Sequence, residues 1–285
     1  MNYPPYIDLN QMMVSSKSPI DVLTLLEQSW STLTVLLSVI GNVLVLVASI
    51  RHKTLRLDRI SIVILENLAV ADLAFSLFYT APNTVYNLMY GYDPATFEET
   101  LLFKIIAIPG SISVGVSCLL FPILNTCKLV SLIFPLRVRN FRFRDGYKIV
   151  TFVWTLEFGY GMVLGLNALI NPSMEWMIAS AIGLALLLLY LLGTTLSLVF
   201  TVHKLRGLQT RGFFSIILVS AMFWMCYVPL WVTNLPTANL RGNKALRRAS
   251  ENIYVISSFS NPLVYYLTIR SFKEYVNRLL SWSSD

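Results

Sequence analysis

The chain has 285 residues, of which 55% are hydrophobic and 13% charged, and its formal net charge is +7. A soluble domain cannot bury so large an apolar fraction, so the composition predicts an integral membrane protein. No nucleic-acid-binding motif accompanies the basic residues. The three cysteines, Cys118, Cys127 and Cys226, all lie within apolar stretches, which argues against a structural extracellular disulfide.

Seven apolar segments are each long enough to cross a bilayer core, which needs roughly 20 helical residues. Their approximate bounds are 27–50, 60–89, 101–134, 147–169, 175–202, 212–236 and 249–269. The predicted fold is therefore an all-α membrane protein, a seven-transmembrane-helix bundle followed by a short amphipathic C-terminal helix.

The distribution of lysine and arginine predicts the orientation of these helices, because both residues are enriched on the cytoplasmic side of a membrane. With the N-terminus outside, fifteen of the 22 lie in cytoplasmic loops, at 51–59, 137–148, 204–211 and 270–278, and six lie on the other side. Lys128 lies near the membrane boundary. The predicted organisation is an extracellular N-terminal segment (1–26), a seven-transmembrane domain (27–269) and a cytoplasmic amphipathic helix and tail (270–285).

The last apolar segment contains Ser257-Ser258-Phe259-Ser260-Asn261-Pro262. Proline removes a backbone hydrogen bond and clashes with the preceding turn, so we expect the helix to kink here. In lipid the freed carbonyl groups need other donors, and polar side chains lie within about a turn of the break. The basic tail over 270–280 has apolar residues at helical spacing, which is typical of a helix on a membrane surface.

Polar side chains also interrupt other segments. Asp72 lies in the middle of the second, and ionisable groups at membrane depth are costly and usually functional. Packing of the helices as one bundle would allow one polar cluster, made of Asn42, Asp72, Ser117, Ser257, Ser258 and Asn261. Its carboxylate, hydroxyl and amide oxygens suit Na⁺ or a proton rather than a transition metal, so we expect Na⁺ at Asp72 as an allosteric ion and no other cofactor. Each residue alone is also explained by interhelical hydrogen bonding.

Several motifs resemble those of class A, rhodopsin-like G-protein-coupled receptors. They are Gly41-Asn42-Val43, Leu68-Ala69-Val70-Ala71-Asp72, Pro135-Leu136, Trp154, Cys226-Tyr227-Val228-Pro229 with Phe223, and Asn261-Pro262-Leu263-Val264-Tyr265 before a helix that carries Phe272. The resemblance covers nearly the whole chain and is that of a divergent, orphan-type member. It implies a plasma-membrane receptor with an outward-facing ligand pocket, whose sixth and seventh helices rearrange to engage a heterotrimeric G protein.

The resemblance also implies roles for individual residues. Asn42, Asp72, Ser117, Ser258 and Asn261 match the family's sodium site. The positions of the activation switch are Lys128, Phe223, Tyr227, Pro229, Pro262 and Tyr265. The positions that correspond to ligand pockets are Gly110, Ser111, Val114, Leu230, Trp231, Asn234, Arg247, Glu251 and Val255.

Some positions depart from the family pattern. The Asp-Arg-Tyr motif at the end of the third helix reads Cys127-Lys128-Leu129 here, and lysine lacks the planar fork of arginine. Tyr227 stands where the family has a tryptophan. Gly110 stands where amine receptors have an aspartate, and Val255-Ile256-Ser257 offers no lysine for retinal, so a biogenic amine and an opsin chromophore are both disfavoured.

The sequence leaves alternatives open. The altered motif at Cys127-Lys128-Leu129 favours a non-signalling decoy or heteromer partner as the second interpretation. A receptor dimer is a further possible partner arrangement. An ion-coupled transporter that uses Asp72, Glu66, Glu157 and Lys128 ranks below it, because the chain shows no internal repeat. Its two histidines, His52 and His203, lie at cytoplasmic edges, and no enzyme constellation is present. The expected partners are a heterotrimeric G protein, an unidentified extracellular ligand and the lipid bilayer.

Overall fold

The computed structural model describes residues 22–51, 58–90, 101–134, 136, 140–170 and 244–281, and single positions or short runs within 182–200 and 218–233. These residues are almost entirely helical, and no strand occurs among them. The helices are α1 Val22–Ile50, α2 Arg59–Phe75, α3 Ala81–Tyr90, α4 Leu101–Ile133, α5 Phe143–Ile170, α6 Lys244–Val255, α7 Ser257–Thr268 and α8 Arg270–Ser281. A π-helical turn over Ser76–Thr80 joins α2 to α3.

The helical fold class is confirmed. Three stretches, Leu25–Ile50, Arg59–Tyr86 and Ile108–Ser131, are long and apolar enough to cross a membrane. The described positions of 182–200 and 218–233, where the fifth and sixth spans are predicted, are helical as well. The remaining residues of those two spans lie outside the described ones. The count of seven spans, the domain bounds and the orientation therefore stay predictions.

The two faces of α1 show why this chain suits lipid. Thr34, Ser38 and Asn42 follow one another at four-residue spacing and are fully buried, whereas Leu36 and Ile40 on the opposite face are exposed. A helix in water would place its apolar face inside and its polar face outside. In α1 Ser38 and Asn42 form interhelical hydrogen bonds and the apolar residues Leu36 and Ile40 face outward, as expected where the surroundings are hydrocarbon.

The π-helical turn before α3 is explained by Pro82. A proline in a regular helix clashes with the carbonyl group four residues earlier, and a wider turn relieves that clash. The turn begins at Ser76, whose Oγ donates to the Asp72 carbonyl at 2.8 Å. The same hydroxyl lies 2.6 Å from Ser38 Oγ of α1. The widened turn therefore lies one helical turn from the buried carboxylate.

At the predicted cytoplasmic end, Asp58 caps α2 and contacts α4. Its carboxylate accepts from Ser61 N at 2.8 Å and Ser61 Oγ at 2.7 Å, and from Ser131 Oγ of α4 at 3.2 Å. A capping side chain satisfies one of the backbone N–H groups that a helix start leaves unpaired. Asp58 thus joins the start of α2 to the end of α4.

Asp58→Ala is expected to lower the unfolding free energy by about 1 kcal/mol, because it removes the cap. Asp58→Asn should retain most of the stability, since asparagine caps as well as aspartate does. Thermal midpoints of the purified variants in detergent would test this. An alanine variant as stable as the asparagine variant would contradict the capping role.

The C-terminal helix α8 packs on the protein itself. Phe272, Tyr275 and Val276 are buried, and α8 contacts α7 and α1. Leu279 and Leu280, at its end, are exposed. The sequence predicts that all apolar residues of this helix face a membrane surface. Phe272, Tyr275 and Val276 instead pack against the protein. The exposed leucines and the basic residues remain for a membrane surface.

Candidate functional site

The buried carboxylate of Asp72 is the centre of the polar cluster. Asp72 is 4% exposed. Its Oδ1 accepts a hydrogen bond from Ser117 Oγ of α4 at 3.0 Å, and its Oδ2 accepts from Asn261 Nδ2 of α7 at 2.7 Å. One carboxylate therefore links three helices that are far apart in sequence. Hydrogen bonds to a charged group contribute roughly 1.5–3 kcal/mol each.

The kink at Pro262 supplies the second half of the cluster. Because proline has no N–H, the Ser258 carbonyl loses the intrahelical donor it would have four residues later. That carbonyl accepts from Asn42 Nδ2 at 2.8 Å and from Ser38 Oγ at 3.2 Å, both on α1. Polar groups left unpaired in a membrane cost several kcal/mol, so these donors stabilise the break.

The close approach of α1 to α7 depends on Gly41. A Cβ atom at this position would lie 2.9 Å from Pro262 Cβ, closer than real contacts allow. Because the proline ring is rigid, a larger residue at 41 would push the helices apart. The absence of a side chain at Gly41 thus permits the Asn42 side chain to reach the Ser258 carbonyl.

The structure brings together most, but not all, of the predicted cluster. Asn42, Asp72, Ser117 and Asn261 contribute side chains, whereas Ser258 contributes its backbone carbonyl and directs its Oγ to the Val255 carbonyl at 2.9 Å. The buried side chain of Ser257 is within hydrogen-bonding reach of Tyr227. It thus belongs to the contact between the sixth and seventh spans.

Sequence reasoning missed three buried residues. Ser38 and Ser76 complete the hydrogen bonds around Asn42 and the π-helical turn. Helical spacing could have identified both serines in the sequence. Ser38 lies four residues before Asn42 and Ser76 four residues after Asp72, so each shares a helix face with a predicted member of the cluster. The third, Asn125 on α4, is buried, and neither of its amide atoms has a hydrogen-bond partner among the described residues.

The donor set around Asp72 fits Na⁺. Sodium prefers hard oxygen ligands, and the Asp72 carboxylate and the Ser117 hydroxyl supply them here. Asn42 Oδ1 is buried and has no hydrogen-bond partner within the described part of the chain. That part also contains no group of three or more His, Cys, Asp or Glu side chains that could hold a transition metal. An oxygen site with one carboxylate is thus the ion site that these residues support.

Aromatic rings connect this cluster to the sixth span. Phe75 stacks on Tyr79 at 5.2 Å and meets Tyr254 edge-on at 5.2 Å, and Tyr254 meets Tyr227 edge-on at 5.4 Å. Offset and edge-to-face pairs of this kind contribute about 0.5–1.5 kcal/mol each beyond burial. Phe75 lies about one helical turn from Asp72, and the row of rings ends at Tyr227, a predicted switch residue.

The other predicted switch residues are only partly described. Tyr265 and Pro262 are buried, and Pro229 is half-buried. Phe223 and the side chain of Lys128 lie outside the described residues.

The predicted ligand-pocket positions do not form one described pocket. Gly110 is buried against Tyr79, and Ser111 and Val114 line a cavity on the α5 side of α4. Glu251 and Val255 are half-buried on α6. Outside the described residues lie Leu230, Trp231, Asn234 and the side chain of Arg247.

Comparison with known proteins adds no relative, since no family model and no curated protein matches the chain.

Proposed function

We propose that this protein is a class A, rhodopsin-like receptor of the plasma membrane that binds an extracellular ligand and activates a heterotrimeric G protein. The observation that carries the proposal is the link between Asp72 and the kinked α7. A carboxylate buried at membrane depth is bonded to Asn261 next to Pro262, and the carbonyl freed by that proline is held by α1. Costly groups placed at a helix break favour a functional role over an anchoring one.

The contacts suggest how a ligand signal would travel. Movement of α7 relative to α1 and α2 requires two hydrogen bonds to be broken and replaced by others. They are the bond from Asn261 to Asp72 and the bond from Asn42 to the Ser258 carbonyl. Two arrangements of such bonds would give the bistable element that a switch needs. The row of rings from Tyr79 to Tyr227 lies beside this element and connects it to the sixth span, which the resemblance to the receptor family implies will rearrange on activation.

Sodium, when bound, would be held by Asp72 with Ser117 and would neutralise the buried carboxylate. Asp72 and Ser117 are on α2 and α4, so the ion would favour the arrangement in which these helices are close. Asn261 donates to the same carboxylate, and its amide group would compete with the ion for Oδ2. The ion and the α7 contact are therefore expected to be coupled.

A second candidate function is that of a non-signalling decoy or heteromer partner. It is favoured by Cys127-Lys128-Leu129 at the predicted cytoplasmic end of α4. Lysine keeps a positive charge there but cannot make the bidentate contacts of arginine. In this case the Asp72 cluster would stabilise the fold without serving activation.

Nucleotide exchange on a panel of purified heterotrimeric G proteins separates the two functions. Membranes that contain the protein are expected to accelerate exchange above empty membranes, and Lys128→Ala should reduce the rate to that background. The matched control is Lys148→Ala, which removes a basic residue from the predicted cytoplasmic start of α5 and should retain exchange. A wild-type protein that reaches the cell surface but accelerates exchange on no G protein would favour the decoy or heteromer partner.

A further inference from the structure

We propose that Glu157 forms a second membrane-buried site, separate from the Asp72 cluster, which binds a lipophilic amine. Its ligand class is a hydrophobic molecule with a single protonated amino group. The proposal does not depend on G-protein coupling. It rests on a cavity, on a carboxylate that lies in its wall, and on the lack of any described partner for that carboxylate.

The cavity lies between α4, α5 and the helical positions around 183–190. Its volume is about 370 Å³, within the range of small-molecule sites. Its lining is largely apolar and includes Val114, Leu119, Ile123, Leu186 and Leu189. A ligand with an apolar body would therefore be preferred over a hydrated ion.

Glu157 lies on the inward face of α5, with Val153 one turn before it and Gly161 one turn after it. Only 3% of the residue is exposed. Among the described residues, none forms a hydrogen bond or an ion pair with its carboxylate. Asp72 of α2, the other buried carboxylate that contacts this part of α4, has two hydrogen bonds. An unpaired carboxylate at membrane depth is costly, and an ammonium group would neutralise it.

The α4 backbone fixes where that carboxylate lies. A Cβ atom at Gly115 would overlap Glu157 Oε2, so the carboxylate rests on the one position of this turn that has no side chain. Ser117, two residues further along α4, donates to Asp72. Opposite sides of the same helix thus contact two carboxylates, of which only Asp72 has hydrogen-bond partners among the described residues.

Other acceptors lie on the same wall. Ser111 lines the cavity one helical turn before Gly115, and its hydroxyl can accept a hydrogen bond. Pro122 also lines it and has no N–H to donate to the Cys118 carbonyl, so that carbonyl loses its usual intrahelical donor. An ammonium group has three donors, which suits a carboxylate together with neutral acceptors. A metal ion would need about six oxygen ligands, more than this apolar cavity offers.

The test uses purified full-length protein in bilayer discs of phosphatidylcholine, with octylamine as the probe and octanol as its neutral counterpart. The two are compared at equal mole fraction in the bilayer, so the effects of the octyl chain on the lipid cancel, and the Glu157 variant controls for the charge that octylamine adds to the bilayer. Octylamine is expected to raise the thermal midpoint above the value in octanol. Glu157→Gln should weaken the apparent affinity for octylamine about tenfold or more, since it removes the charged partner. The octanol value should not change.

Two further variants keep the test decisive. Gly115→Ala places a methyl group where the carboxylate lies and should also remove the preference for octylamine. Asp72→Asn should retain it. Without ligand, Glu157→Gln should be at least as stable as the wild type, because it removes a buried charge that has no partner among the described residues. If the carboxylate had a structural role, the variant would be less stable than the wild type.

Three results would overturn the proposal. They are equal shifts with octylamine and octanol in the wild type, a preference retained in Glu157→Gln or in Gly115→Ala, and a preference lost in Asp72→Asn. Each result is independent of nucleotide exchange, so failure here would leave the receptor function untouched, and failure of coupling would leave this site untouched.

Discussion

Replacing Asp72 by asparagine is expected to abolish the stabilisation that Na⁺ gives to the purified protein. An ion that binds only the folded state stabilises it by about 1.4 kcal/mol at ten times its dissociation constant. Asparagine keeps the shape of the side chain and can still accept from Ser117, but it has no charge to hold a cation. Thermal midpoints measured in sodium chloride and in choline chloride at equal ionic strength should differ for the wild type and coincide for the variant.

Glu157→Gln provides the matched control for this experiment. It also removes one buried carboxylate close to α4, but from outside the Asp72 cluster. Its midpoints should keep the full difference between sodium and choline. Equal midpoints in the two salts for the wild type would rule out the sodium site. Loss of the difference in Glu157→Gln as well as in Asp72→Asn would show a general effect of charge instead.

The sequence shows how far along its apolar segment each polar residue lies. This depth was enough to predict much of the cluster. Asn42, Asp72, Ser117 and Asn261 lie at similar depths in their segments, and the structure joins Asp72 to two of them. Depth follows from counting residues at 1.5 Å per residue. What depth does not give is the rotation of each helix about its axis, which decides which side chains meet.

Ser258 and Glu157 are two residues whose contacts could not be predicted from depth alone. Ser258 was predicted for its hydroxyl, yet its backbone carbonyl is the group that α1 holds, because Pro262 removes the donor. Glu157 and Asp72 are both acidic residues within apolar segments. Only the packing of α4 between them shows that one has partners and the other borders a cavity. The apolar face of α8 could likewise be predicted from the sequence, but its burial against α1 and α7 could not.

The second large effect is expected at the α7 break, where Asn42 and Pro262 should be strongly coupled. Asn42→Ala removes the amide that donates to the Ser258 carbonyl at 2.8 Å and leaves it only the longer contact from Ser38 Oγ at 3.2 Å. Loss of a buried hydrogen bond costs about 1 kcal/mol. Pro262→Ala restores an N–H four residues after Ser258, so the carbonyl can regain its intrahelical bond. In that background the loss of Asn42 should be much less damaging.

A double-mutant cycle measures this coupling. Unfolding free energies of the wild type, both single variants and the double variant, from denaturation by sodium dodecyl sulfate in mixed micelles, should give a coupling energy of about 1 kcal/mol or more. Asn67→Ala is the matched control, because Asn67 donates to the Val63 carbonyl on α2 and accepts from Trp154, far along the chain from the break. Its effect should add to that of Pro262→Ala. Additive effects of Asn42→Ala and Pro262→Ala would mean that Asn42 does not hold the carbonyl that the proline frees.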